Sequence, residues 1–183
     1  MHTIPPENRI VLVGGGHSHC IFLKMWAMKK VKPPLDIILI SPSSFTPYTG
    51  MLPGLISGNY KRKDAYVDLV KLCNASGVRL LIGSVDKINL YKKSVMVQGR
   101  PEITFDIISV NVGIKSMASD FLHQSESVVS AKPMDKLYKR WKEFLAKKYK
   151  NRKKSVTIVG GGLGGLELAF AVKERLEKEA ALH

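Results

Sequence analysis

Gly160, Gly162 and Gly165 stand at the spacing G-x-G-x-x-G inside "SVTIVGGGLGGLELAF". Gly14 and Gly16 repeat the first two positions inside "RIVLVGGGHSHCIF", with His19 where the third glycine would fall. In each copy an apolar run leads into the glycines and a helix-periodic run follows them, so the turn joins a strand to a helix. Such a turn lets a pyrophosphate approach the bare backbone and meet the N–H groups and positive dipole end of the helix. The first glycine permits the tight turn, the second the close approach, and the third the packing of helix on strand. Alone the pattern is weak. Two copies between predicted strands and helices leave a purely structural turn as the lesser reading.

The N-terminal copy departs from the rule twice. His19 implies a helix set slightly off its strand, or an imidazole pointing out of the contact. The second strand ends at Ser41 rather than at an acid, which reduces a ribose contact to a hydroxyl hydrogen bond. His17, His19 and Cys20 carry metal-ligating atoms, but residues at i and i+2 do not share a helix face. No second ligand pair stands near them, so no metal site is expected. No recognisable spacing of a Ser/His/Asp or Cys/His nucleophile is present either.

The elements that must position these turns follow in order along the chain. Residues 10–13 read as a buried parallel strand. The helix after it puts Ile21, Met25 and Met28 on one face, with Phe22 and Trp26 beside it. Pro33 and Pro34 stop that helix, and residues 36–40 form the second strand of a βαβ unit. A charge-poor loop, residues 41–60, precedes a helix running to about Ala75, with Asp68 as N-cap and Gly77 as its stop. Residues 78–82 read as a third core strand, 84–104 as an antiparallel excursion, and 105–112 as a buried strand ending at Gly113. Residues 132–154 read as a basic helix with Leu137, Trp141, Phe144 and Leu145 in one apolar stripe. A second strand at 156–159 and a helix to about Glu179 complete the reading.

The net charge of +14 is concentrated: residues 132–154 hold eleven Lys or Arg against two acids, which is +9 of the total. A solvated helix face accounts for most of it, and an anionic lipid surface is compatible with it. No RNA-binding or zinc-finger signature accompanies the charge, so no nucleic-acid function is expected. The start "MHTIPPENR" lacks a basic-then-apolar signal, and the two cysteines have no CxxC spacing. Both point to a cytoplasmic protein in a reducing compartment.

The order of parts resembles the flavoproteins with two dinucleotide-binding domains, the pyridine nucleotide-disulfide oxidoreductase superfamily. That likeness implies an α/β fold: a Rossmann-like FAD-binding domain with an antiparallel excursion, then the first βα unit of a second, NAD-binding domain. The corresponding boundaries are 8–131, a basic connecting helix at 132–154, and 155–183. "SPSSFTPYTGMLPGLISGNY" has no cysteine where disulfide reductases carry a redox pair, so a thiol relay is not expected. "GGGHSH", "LISP" and "TPYTGMLPGLISGNY" look most like the type II NADH dehydrogenase-like FAD domain often fused to selenide, water dikinase. By this resemblance FAD is held by Gly14, Gly15, Gly16, His17, Ser18, Ser41, Pro42, Pro47, Met51, Leu52, Val85, Asn111 and Gly113. NAD(P)H is the co-substrate at Gly160, Gly162 and Gly165, with Glu167 near its nicotinamide. Glu167 reads equally well as an acid placed for the helix dipole. Hydride would pass through FAD to a quinone-like acceptor, and a peripheral contact with the inner membrane is compatible with this. The family needs roughly twice this length, so the chain reads as its N-terminal part, to be completed by a C-terminal half or a fused domain. The competing reading is a truncated, non-catalytic nucleotide-binding fragment.

Overall fold

The computed structural model describes residues 8–113, 127–147 and 154–181. Its elements begin with β1 (Asn8–Val13), α1 (His17–Met28), β2 (Leu35–Ser41), β3 (Phe45–Pro47) and α2 (Leu52–Ser57). Next come β4 (Tyr66–Asp68), α3 (Leu69–Ser76), β5 (Arg79–Ile82), β6 (Val85–Asn89) and β7 (Ser94–Val97). β8 (Ile103–Thr104), β9 (Ile107–Val110), α4 (Met134–Ala146) and α5 (Leu163–Ala180) follow. The fold is α/β and Rossmann-like, and its residues gather into two compact units that do not follow the linear order of the chain. One contains residues 8–46 and 67–113, the other 47–66 with the described residues beyond 113.

The first unit is built on a four-stranded sheet of order β5-β2-β1-β9 whose neighbours all run parallel. The pleat sends alternate residues to opposite faces. Leu12, Ile37 and Leu39 pack with Cys20, Leu23, Trp26, Leu69 and Cys73 of α1 and α3. Val11, Val13, Ile38 and Ile40 pack with Val95, Val97 and Phe105 of the antiparallel β6-β7-β8 excursion. Both faces of the two central strands are covered, which is why residues 10–13 of β1 and 37–40 of β2 are continuous apolar runs. Asp68 caps α3 by accepting from the Lys71 N–H at 3.0 Å, and Gly77 ends it in the left-handed region at φ 71°. These are the start and stop the sequence implies.

α1 turns a different face inward from the one its apolar residues suggest. Ile21, Met25 and Met28 are 45%, 60% and 67% exposed, while His19, Cys20, Leu23 and Trp26 are buried. The two polar positions go inward because the glycine turn offers them backbone acceptors there. Carbonyl oxygens of Gly14 and Gly15 lie 2.7 Å from His19 Nδ1 and 3.4 Å from Cys20 Sγ.

In the second unit α2, α4 and α5 share a core of Leu52, Leu55, Ile56, Tyr66, Met134, Trp141 and Ala171. Trp141 donates its indole N–H to the Ile56 carbonyl at 2.9 Å, and Tyr66 donates to Asp135. Residues 41–60, expected as a loop, therefore contain β3, a 3-10 turn at Thr49–Met51 and the helix α2. Their lack of charge reflects burial of α2 in that core. The apolar stripe of the basic helix is inward as expected, but α4 ends at Ala146, and residues 148–153 of the expected helix lie outside the described residues.

The expected strand at 156–159 does not form; residues 154–161 have no regular structure. A strand needs a neighbour for its N–H and C=O groups, and none of the sheets of described residues includes this segment. Val159 is left 86% exposed.

At the amino end of the parallel sheet Asp36 accepts from Arg9 Nε at 2.7 Å and from Arg79 in a two-pronged contact at 2.6 Å. Burial alone would push its carboxyl up, but hydrogen bonds and charge from Arg79, then Arg9, outweigh this and hold it below the ordinary range. A depressed carboxyl stabilises fully above its unfolded value, about 3.9, and loses that contribution as pH falls through the lower folded value. Asp36→Asn should therefore lower Tm at neutral pH and flatten the Tm-against-pH curve below about pH 4. Parallel acid limbs for the variant and the parent in thermal melts would refute this role.

Candidate functional site

β1 and β2 end side by side in register Val13↔Ile40, and β9 flanks β1 on the other side, with Val13 facing Val110. The carboxyl ends of these strands converge on the first glycine turn. Gly14 has φ +92°, and its N–H donates to the Ile40 carbonyl at 2.8 Å. A Cβ on Gly14 would overlap the backbone carbonyl of Asn111, and one on Gly16 would overlap the Asn111 carboxamide. A Cβ on Gly15 would come within 2.7 Å of Leu69 Cδ1. Glycine is therefore required at Gly14 and Gly16, whereas a side chain at Gly15 needs only the end of Leu69 to move, and Asn111 is the residue that packs the turn from the β9 side. Its own N–H donates to Val13 at 2.8 Å, which fixes it there.

Gly16 is the N-cap of α1, with no side-chain cap and no acid in the first turn. The positive end of the helix is therefore unneutralised by its own side chains. His17 and Ser18 are exposed in that first turn. Ser41 closes the end of β2; it is 4% exposed and donates its hydroxyl to the Ser43 carbonyl at 2.9 Å. Pro42 beside it is exposed. The structure thus brings Gly14, Gly15, Gly16, His17, Ser18, Ser41, Pro42 and Asn111 to one end of the sheet. Gly113 follows Asn111 by two exposed residues. Val85 packs instead with the excursion cluster under the opposite face of the sheet from α1.

His19 does not point its imidazole out of the contact. It is 4% exposed, with Nδ1 2.7 Å from the Gly14 oxygen and Nε2 2.9 Å from Ser109 Oγ on β9. His19 and Ser109 are thus parts of the turn that spacing rules passed over. The only signal was the histidine in a glycine's place. Both cysteines are buried and free, and burial pushes their thiols up, Cys73 to about 11 with Cys20 adding to the effect. Neither supplies a thiolate at neutral pH. Among the described residues no three His, Cys, Asp or Glu side chains group around a common point.

The other expected site residues belong to the second unit. Pro47 and Met51 are half-buried and Leu52 is 8% exposed, all on the segment that leads into α2. Gly162 is the N-cap of α5, again without a side-chain cap, and Gly160 has φ +122°. A Cβ on Gly165 would overlap the Gly160 carbonyl, so the third glycine is needed for a tight turn even where the strand before it is missing. Glu167, exposed on the second turn of α5, borders a cleft of about 460 Å³ with Pro53, Gly54, Tyr60, Phe170 and Glu174. Glu174 accepts from Lys178 at 2.7 Å and Asn59 at 3.2 Å, which lowers its carboxyl in that order of importance.

No family model matches the chain. It is 23% identical over 171 residues to the NADH dehydrogenase-like protein YutJ of Bacillus subtilis, covering 91% of this chain and 45% of that one. The chain thus spans less than half the length of this relative. Among solved structures it resembles NDH2 from Plasmodium falciparum in complex with RYL-552, with TM-score 0.73 and 19% identity over 96% of this chain and 38% of that one. The water-forming NADH oxidase from Lactobacillus brevis, bound to NADH, gives TM-score 0.69 and 17% identity over 92% and 38%. The fold is therefore one shared with NADH-dependent oxidoreductases.

Leu52 is committed to the core of the second unit, so an ion there has no partner and no water. Leu52→Asp should cost more than about 3 kcal/mol and shift the urea midpoint accordingly. A midpoint within error of the parent's would show that Leu52 faces solvent.

Proposed function

We propose that this chain is the FAD-binding part of an NADH dehydrogenase-like flavoprotein in which hydride passes from NAD(P)H through FAD to a quinone-like acceptor. The observation that supports it most is the turn at Gly14, Gly15 and Gly16, bare of side chains, at the uncapped end of α1 and the carboxyl ends of β1, β2 and β9. That geometry fits a dinucleotide's pyrophosphate, because glycines let the turn close tightly on Asn111 and leave fixed N–H donors and a helix dipole to meet the anion. FAD, when bound, supplies an isoalloxazine that takes hydride from a reduced nicotinamide and releases the electrons again.

The chain's own part is to bind and orient. Backbone N–H groups at the start of α1 hold the anion, and Ser41, whose hydroxyl donates to the Ser43 carbonyl and accepts from the Ser43 N–H, keeps one lone pair to accept from a ribose hydroxyl. Asn111 and Gly113 at the end of β9 stand where the family's strand borders the flavin. Pro47 and Met51 would form the flavin-side segment. Leu52 contributes through its backbone, its side chain being in the core. The turn at Gly160, Gly162 and Gly165 offers a second dinucleotide site, with Glu167 beside the nicotinamide. Completing that site would take further strands of an NAD-binding sheet, supplied by a C-terminal half or a fused domain.

The cationic face of α4 supports a peripheral membrane contact. Its exposed Lys136, Lys139, Lys142 and Lys147 have their apolar neighbours Trp141 and Met134 buried beneath them. No helix among the described residues is long and apolar enough to cross a membrane. A non-catalytic nucleotide-binding role is favoured by one observation, the missing strand at 156–159, since an unsupported turn does not orient a nicotinamide.

Gly16→Val drives a branched side chain into Asn111 and so forces the end of β9 away from the turn that receives the anion. Folded protein carrying it should lose FAD retention after reconstitution and gel filtration, and equal flavin content in variant and parent would remove the assignment. Orientation of two bound partners is worth roughly 7–11 kcal/mol of barrier. NADH consumption with added FAD and a soluble quinone should accordingly be far slower for this chain alone than for a version extended by a homologous C-terminal half. Equal turnover would mean that the second site lies elsewhere.

A further inference from the structure

The glycine turn carries a histidine where its third glycine is due, and the imidazole lies inside the molecule. His19 spans three segments: the turn through Gly14, α1 through its own backbone, and β9 through Ser109, which pairs in register with Leu12. A carbonyl oxygen can only accept, so the 2.7 Å contact to Gly14 places a proton on Nδ1. In the neutral ring Nε2 then accepts, and the Ser109 hydroxyl donates across 2.9 Å.

This relay aims the turn. In a trans peptide the C=O and the following N–H point in opposite directions. Drawing the Gly14 oxygen inward toward Nδ1 therefore turns the Gly15 N–H outward. Cys20 repeats the device one peptide later, its thiol donating to the Gly15 oxygen at 3.4 Å, which directs the Gly16 N–H the same way. We propose that His19, fixed by Ser109, is a positioning residue that orients the Gly14–Gly15 peptide so that its N–H serves the dinucleotide's pyrophosphate. The pair takes over a task that a glycine at this position cannot perform. This rests on the reading of the turn as a dinucleotide site.

Asparagine places its amide nitrogen where histidine has Nδ1, and glutamine places its own where histidine has Nε2. His19→Asn thus keeps the donor to Gly14, whereas His19→Gln keeps only the reach to Ser109. His19→Gly restores the glycine pattern and keeps neither. Affinity for FAD, and for ADP as a flavin-free probe, should stay near the parent's in His19→Asn and fall about tenfold in His19→Gln and His19→Gly, the worth of one directed hydrogen bond. Ser109→Ala should fall less and should add nothing on the His19→Gly background. The three His19 variants are compared with their Tm values. Affinities that follow Tm alone, or a His19→Gly protein that binds as tightly as the parent, would overturn the positioning role. Nitrogen-15 spectra of the imidazole in the ligand-free protein test the relay without any nucleotide. An Nδ1–H tautomer is expected, and an Nε2–H tautomer would overturn the proposal. Failure of the parent to bind FAD or ADP, with the Nδ1–H tautomer present, would instead count against the dinucleotide reading.

Discussion

The approach of β9 to the first glycine turn is the constraint on which the rest of the site depends. Asn111 packs against Gly14 through its backbone carbonyl and against Gly16 through its carboxamide, at distances no Cβ could share. The contact exists because the antiparallel excursion returns the chain to the free side of β1. Arg9 and Asp106 exchange two hydrogen bonds there, Arg9 N–H to the Asp106 carboxylate at 2.7 Å and Asp106 N–H to the Arg9 carbonyl at 2.9 Å. That pin sets the register of β9 three residues before Ser109 and five before Asn111. A slip of one residue would exchange the faces of β9 and take Ser109 away from His19. Sheet, excursion and turn are therefore one construction, with the register as its common variable.

The second glycine turn shows what such a motif does without a sheet. Gly165 still lies against the Gly160 carbonyl, and Gly162 still caps a helix of 18 residues. The turn is thus set locally, by left-handed backbone at Gly160 and by the helix that follows. The strand is not. α5 is held instead by α2 and α4, through Leu168, Ala171, Val172 and Leu176, while Leu163, Leu166 and Phe170 stay 82%, 52% and 66% exposed. A helix in a βα unit ordinarily buries one stripe against its own strand; here the stripe in use belongs to a helical core.

Much of this was legible from the sequence, for physical reasons that differ by element. β1, β2, β5 and the excursion were readable because period-two and continuous apolar runs are local signals, and Asp68 and Gly77 marked α3 because caps are local too. Two features failed for the same reason, the absence of any local signal of where the partner lies. Uncharged residues 48–57 suit a ligand-facing loop as well as a buried helix, and only the packing of Trp141 from α4 and Ala171 from α5 against them decides for the helix. Residues 156–159 have every β-branched preference for a strand, but pairing is a property of two segments. At the first turn Gly14 and Gly16 were legible, while Ser109 was not, since its role is visible only once β9 lies beside β1.

The inward face of α1 is not the one that carries most of its long apolar side chains. Ile21, Met25 and Met28 outside, with His19 and Cys20 inside, contradict a hydrophobic count. Burying a polar group without a partner costs more than burying an apolar side chain gains, so the arrangement requires acceptors inside. A glycine turn provides them: its carbonyls at Gly14 and Gly15 point into the space between helix and sheet, where no water reaches. Each carbonyl needs a donor as much as each side chain needs an acceptor. An alternative helix face, with Met25 and Ile21 inward, would leave both turn carbonyls unmet and both polar side chains in solvent. The composition of the turn therefore selects the rotation of α1 about its axis. That rotation in turn fixes which residues stand in its first turn at the mouth of the site.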